Sequence, residues 1–225
     1  LDDFVMSPLA SGLAVLRDDE RESGVALIDL GGSSTDVLAW TGRRLAHAAT
    51  LPWGGATVTR DIARGLGVPA DEAERLKLRW GSARRSAVDP KEQLELSGSG
   101  NGSGRRVSRE LLAHIIEQRL DEILGLVYEE LEEADVLDRM SGIVLTGGTG
   151  RLPEITDLAR SVFNLPVRIG RPGAGLAGAT DAVATPAHAT AVGLVQYGAT
   201  RHRTGGWGEA GRALARVGGW LRNFF

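Results

Sequence analysis

Residues 29–36 read DLGGSSTD, a string that concentrates several kinds of chemistry in one short segment. Gly31 and Gly32 let a backbone approach an anion closely, the amides of such a turn can converge as a nest, and Ser33, Ser34 and Thr35 add hydroxyl donors. Phosphate suits that set. Asp29 closes an apolar run and is placed to hold Mg2+ through water, because magnesium keeps several waters and takes one or two carboxylates plus phosphate oxygens. The same string also suits an ordinary hairpin turn, where Gly and Ser are frequent. On the residues alone both readings stay open.

A second glycine corner, Thr146-Gly147-Gly148-Thr149-Gly150, follows the apolar run IVL and leads toward Pro153, a position suited to starting a helix. A helix entered from such a corner offers unpaired amides and a positive dipole end, so a nucleotide fits between the two corners. Strand-to-helix turns also recruit glycine for steric reasons alone. Neither corner gives a Walker pattern or GxGxxG, which excludes P-loop and Rossmann readings. Glu74 and Lys77 lie three apart on an expected helix and share a face, where carboxylate and ammonium suit ribose hydroxyls. The alternative is an Asp71–Glu74 capping box. His47, His114, His188 and His202 are scattered without ligand spacing, and there is no GxSxG and no cysteine.

The elements that must position these residues follow from periodicity. Pro8–Leu16, rich in small residues, predicts a short buried helix closed by the charged run DDERESG, and Val25–Leu30 predicts a buried strand. DVLAW and Arg44–Leu51 predict two further strands, and Val58, Ile62 and Leu66 recur at helical spacing. A helix is expected from near Asp71 to Trp80, then a flexible hairpin tip or surface loop at 97–104. Ser108 can cap a long helix reaching about Glu133, with Leu112, Ile116, Leu120, Ile123, Val127 and Leu131 on one face. Pro166–Gly170 predicts a strand and Pro186–Gly198 a second small-residue helix.

Composition bounds what these elements can be. The 225 residues have 26 Lys+Arg against 29 Asp+Glu and are 42% hydrophobic, which describes a folded chain without a general affinity for nucleic acid. No run approaches the ~18 apolar residues of a membrane-spanning helix. The end of the chain is different in character. Leu214, Val217, Leu221 and Phe224 share one helical face with Trp220 and Phe225 at its edges, and Arg212 and Arg216 lie opposite. That pattern suits a helix lying in a lipid interface behind a glycine-rich tether, or a helix docking on protein.

In order, the strings DLGGSSTD, LPWGGATVTRDIARGLG, AERLKLRWGSA, IVLTGGTGRLP, LPVRIGRP and PAHATAVGLVQYG resemble the actin-like ATPases, and within them the FtsA family of bacterial division proteins. The resemblance runs over nearly the whole chain. It implies an α/β actin-like (ribonuclease H-like) second lobe with an inserted smaller α/β subdomain. Residues 1–66 would hold the hinge helix and first part of the core, 67–135 the insert, 136–203 the second part, and 204–225 the linker and membrane-targeting helix. ATP with Mg2+ would be held by Asp29, the second phosphate loop Gly31, Gly32, Ser33, Ser34 and Thr35, the nucleoside helix with Glu74 and Lys77, and the adenosine loop Gly147, Gly148 and Thr149. The family loop usually reads GGGTTD, so the added bulk of serine predicts weaker phosphate binding and turnover.

The same resemblance implies a scaffold that polymerises as actin-like filaments and tethers the FtsZ ring to the cytoplasmic face of the inner membrane at the septum. Partners would be the FtsZ C-terminal peptide, further copies of the protein and downstream division proteins. The peptide would meet the insert, where Arg105, Arg106 and Arg109 form a basic cluster suited to an acidic peptide or equally to a merely solvated loop. Family members begin with a first lobe that completes the cleft, so this polypeptide alone is expected to bind ATP poorly and not turn it over. Other actin folds stay open as alternatives: an MreB-like or pilus-assembly homologue, a chaperone, or a sugar-kinase-like enzyme.

Overall fold

The computed structural model describes residues 4–96, 105–173 and 180–202. A short helix α1 (Ser7–Val15) begins with Pro8 in its first turn and buries Ala10, Ser11, Gly12, Ala14 and Val15. The charged run after it is not a simple stop. It forms a helix of its own, α2 (Asp18–Ser23), because its acidic first turn suits a helix N-terminus and the Glu20 carboxylate accepts the Arg17 amide at 2.9 Å.

Strands β1 (Val25–Leu30), β2 (Thr35–Thr41) and β3 (Arg44–Leu51) follow as an antiparallel meander. Then come α3 (Gly55–Leu66), α4 (Ala70–Trp80), the hairpin strands β4 (Gln93–Leu96) and β5 (Arg105–Ser108), and the long helix α5 (Arg109–Glu133). The expected hairpin tip at 97–104 lies outside the described residues. The chain returns through β6 (Ile143–Thr146), α6 (Ile155–Phe163), β7 (Val167–Ile169), α7 (Thr180–Val183) and α8 (Ala189–His202). The main sheet has the order β3-β2-β1-β6-β7, with β6 and β7 joined parallel to β1.

Strand β1 is buried along its whole length because helices cover both sheet faces. Its alternation divides two cores. Ala26, Ile28 and Leu30 point into the larger one, shared with α3, α5 and α6, while Val25 and Leu27 meet α1 and α8 on the other face. Asp29 lies in register with the second set. Helices α1 and α8 approach so closely that a Cβ on Gly193 would come within 1.7 Å of the Ala10 carbonyl oxygen.

Ser108 caps α5 as expected, its hydroxyl accepting the Leu111 amide at 3.2 Å. The buried stripe of α5 packs under α3, and the larger core continues without a break from the main sheet into α4 and the β4–β5 hairpin.

Candidate nucleotide site

Asp29 on β1 stands in parallel register with Thr146 on β6, so the two glycine corners leave neighbouring strands at the same end of the sheet. In the first corner the Gly31 amide donates to the Ser34 carbonyl at 3.0 Å, closing a tight turn. The start of α3 holds this turn from behind: the Gly55 amide donates to Gly31 O at 3.0 Å and the Ala56 amide to Gly32 O at 2.7 Å. In a trans peptide the amide points opposite to the carbonyl of the same unit. The Gly32 and Ser33 amides therefore face away from α3. Among the described residues these amides and that of Ser34 have no protein acceptor. The Ser33 side is exposed to solvent, which leaves a row of donors able to receive an anion.

The second corner is pressed against the first. Gly147 has φ +87°, and a Cβ there would lie 2.4 Å from both Asp29 Oδ1 and Leu30 O, so conformation and space each demand glycine. Thr149 donates its hydroxyl to Gly31 O at 2.8 Å and ties the corners together. The corner does not run straight into an α-helix. A 3-10 turn covers Thr149–Arg151, Pro153 and the left-handed Glu154 (φ 64°) interrupt the path, and α6 starts only at Ile155. Its amides thus belong to the turn rather than to a helix dipole.

Asp29 is buried, 8% exposed, with Oδ2 accepting the Ser11 hydroxyl at 2.6 Å and Thr190 Oγ1 at 3.5 Å. Burial raises its pKa, opposed by the Ser11 bond, reinforced by the charge of Asp36 and opposed again by Thr190; the net direction is upward. Single-residue reading did not find Ser11 or Thr190. The available signal was a hydroxyl inside each of two helices rich in small residues.

Glu74 and Lys77 sit on α4 beside this corner. The helix begins at Ala70 with Pro69 as its cap, so the alternative of a capping box fails: the Glu74 carboxylate reaches Lys77 Nζ at 2.7 Å and the Thr59 hydroxyl of α3 instead. Lys77 is buried and also donates to Gly55 O at 2.9 Å and to Thr59 Oγ1 at 2.8 Å. Burial works against the charge of Glu74, but the bonds from Lys77 and Thr59 outweigh it and hold its pKa below the ordinary value. Gly55 is the meeting point, since a Cβ there would fall 2.4 Å from Thr149 Oγ1 and 3.3 Å from Lys77 Nζ.

The structure thus gathers Asp29, residues 31–35, Glu74, Lys77 and residues 147–149 around one corner of the sheet. Within the set, the Thr35 hydroxyl is turned to Trp53 O at 2.7 Å. The arginines stand elsewhere and have internal partners: Arg105 with Leu66 O at 2.6 Å, Arg106 with Glu95 at 3.1 Å, Arg109 with Glu92 at 2.8 Å and Trp80 O at 3.0 Å. Leu214, Val217, Trp220, Leu221, Phe224 and Phe225 lie outside the described residues. Among the described residues no helix is long and apolar enough to cross a membrane, and no cluster of three His, Asp or Glu could hold a metal by itself. The Asp29 carboxylate, beside a row of unpartnered amides, would fit magnesium held through water.

The chain is similar to known proteins along most of its length. The profile of the family described as cell division protein FtsA matches residues 26–193. Cell division protein FtsA of Neisseria meningitidis serogroup B is 37% identical over 241 residues, covering 100% of this chain and 56% of that protein. The chain spans about half the length of the curated relatives it matches. MreB5 of Spiroplasma citri bound to ADP superposes with a TM-score of 0.68 at 18% identity, over 89% of this chain and 60% of that one. A PilM-PilN type IV pilus biogenesis complex superposes at 0.66 and 18%, over 88% and 53%. These structures establish an actin-like α/β fold.

Proposed function

Because the chain belongs to the FtsA family of cell division proteins, we propose that it forms the ATP-binding second lobe of an actin-like division scaffold. The observation that carries the reading is the pair of corners joined through Thr149 and Gly31, with the amides of Gly32, Ser33 and Ser34 unpartnered beside them. Those amides and Gly147-Gly148 bind polyphosphate, and Glu74 and Lys77 provide the nucleoside end. Asp29 would hold Mg2+ through water, and the bound ion would supply charge neutralisation of the phosphates. Ser11 and Thr190 keep the Asp29 carboxylate oriented toward the corner while the α1–α8 pair excludes solvent behind it. In this reading 67–135 is the inserted subdomain that receives the FtsZ C-terminal peptide, near Arg105, Arg106 and Arg109. The amphipathic segment within 204–225 attaches the scaffold to the cytoplasmic face of the membrane at the septum, where copies polymerise and recruit downstream division proteins.

Gly32→Asp tests the phosphate cradle. Nothing lies within 4 Å of a Cβ at Gly32, so the fold accommodates the side chain while its charge opposes a phosphate. In the protein at its full natural length, MgATP affinity is expected to fall about tenfold or more with an unchanged melting temperature. Equal affinity in parent and variant contradicts the reading.

A further inference from the structure

Helix α1 covers its side of the main sheet unevenly. Val15 lies against Gly170 beyond β7, and a Cβ on Gly12 would rest 3.6 Å from Leu27 of β1 and 3.7 Å from Leu38 of β2. Going round the helix, Val15, Gly12, Leu9 and Leu13 follow in order, so the flank of Leu9 and Leu13 is the one toward β3. That edge strand is bare on this face among the described residues. By register Ala48 faces the same way as Leu38, and Thr50 the same way as Asp36, yet Ala48 and Thr50 are exposed. Met6, Leu9 and Leu13 share the flank above them, with Met6 50% and Leu13 43% exposed and Leu9 only partly buried. The result is a shelf with an apolar wall and a floor of small side chains. At one end α2 is tied to the β2–β3 turn through the Gly42 and Arg43 amides, and its Asp18 and Asp19 carboxylates are exposed.

We propose that residues 212–225 of the same chain dock on this shelf when no membrane is present, and that lipid competes for the apolar face they present to it. The inference rests on the membrane-tether reading above and adds its regulation. Length permits the contact. Helix α8 crosses α1 where Gly193 meets Ala10 and ends at His202, nine residues or about 14 Å further on. Residues 203–211 then span up to about 30 Å, enough to return to α1. Chemistry favours this occupant as well, because Leu214, Val217, Leu221 and Phe224 form an apolar face to cover Leu9, Leu13 and Ala48. Arg203, Arg212, Arg216 and Arg222 stand against Glu209 alone, so the acidic end of the shelf attracts the segment.

The test reads the reactivity of a thiol introduced by Ala48→Cys, an exposed position in a chain that has no cysteine of its own. In the full natural-length protein, with this as the only thiol, maleimide labelling should be about tenfold slower than in the same protein cut after Gly206, and anionic vesicles should restore the fast rate. Tenfold protection means that the tail is free ~10% of the time, so Leu13→Asp should both deprotect the thiol and raise vesicle affinity about tenfold. If Leu13→Asp fails to fold, Leu13→Ser is read in the same way. Glu132→Cys, at an exposed position of α5, is the reference and should label equally throughout. Equal rates with and without the tail overturn the docking, as does protection that grows with protein concentration, which marks a second copy as the occupant. Tail-dependent protection that vesicles leave unchanged while the protein floats overturns the competition. A parent that does not float overturns the membrane reading itself, and release by lipid with it.

Discussion

The carboxyl of Asp29 is held above its ordinary pKa, since burial and the facing Asp36 favour the proton more than the bonds from Ser11 and Thr190 favour the charge. Its folded pKa exceeds the unfolded one, so the folded state binds the proton more readily. The stability this group contributes is complete below the ordinary carboxylate range and is lost as pH rises through the raised value. Asp29→Asn is accordingly expected to melt above the parent at neutral pH without ligand, with the difference shrinking as pH falls toward that range. Calorimetry across pH measures it, and a variant that melts lower at pH 7 contradicts the assignment. Gly147 makes a second residue-scale prediction: Gly147→Ala forces a Cβ into Asp29 and Leu30 at positive φ, which should cost about 2 kcal/mol in urea unfolding. The glycines and hydroxyls of both corners were legible in the sequence because turn chemistry is local. Thr59, Ser11 and Thr190 were not, because their roles come from side chains packed against them from other elements.

Elements carried a stronger sequence signal than contacts between them. The span of α5 could be read from its apolar spacing and the Ser108 cap, and β1 from an unbroken apolar run, because each pattern records the burial of a single element. The close crossing of α1 and α8 left only small residues as a trace, since backbone-to-backbone packing is defined by what is missing from the surface. The same reasoning explains α2. Its helix depends on one carboxylate reaching back to Arg17 and on the Glu20–Arg168 pair at 2.6 Å, which no periodicity reports. Gly193→Ala should separate the two helices and destabilise the chain by about 3 kcal/mol. Leu120→Ala, in the fully buried stripe of α5, should cost about 2–5 kcal/mol. Denaturant titration checks both, and an effect below about 0.5 kcal/mol at either site contradicts the packing described.

At the scale of the whole molecule, adjacent parallel strands of the main sheet deliver two glycine corners to a common point, which is the arrangement that the order of motifs implied. Gly31 and Gly147 could instead have lain on opposite sides of the fold. Their junction through Thr149 and Asp29 is what joins the separate sequence blocks into one site. The proposed membrane attachment is tested at this scale too. Removing the residues after Gly206 should abolish co-flotation with anionic vesicles, and the intact chain remaining wholly soluble would contradict the tether. The central claim concerns the shared cradle, and backbone amide NMR of the 225-residue chain titrated with MgADP addresses it most directly, even where binding is weak. The account predicts that the amide signals of Gly32, Ser33, Ser34, Gly147 and Gly148 shift together along one saturation curve, and that adenosine leaves the Gly32–Ser34 signals in place. Movement confined to one corner, or saturating separately in the two, would contradict it.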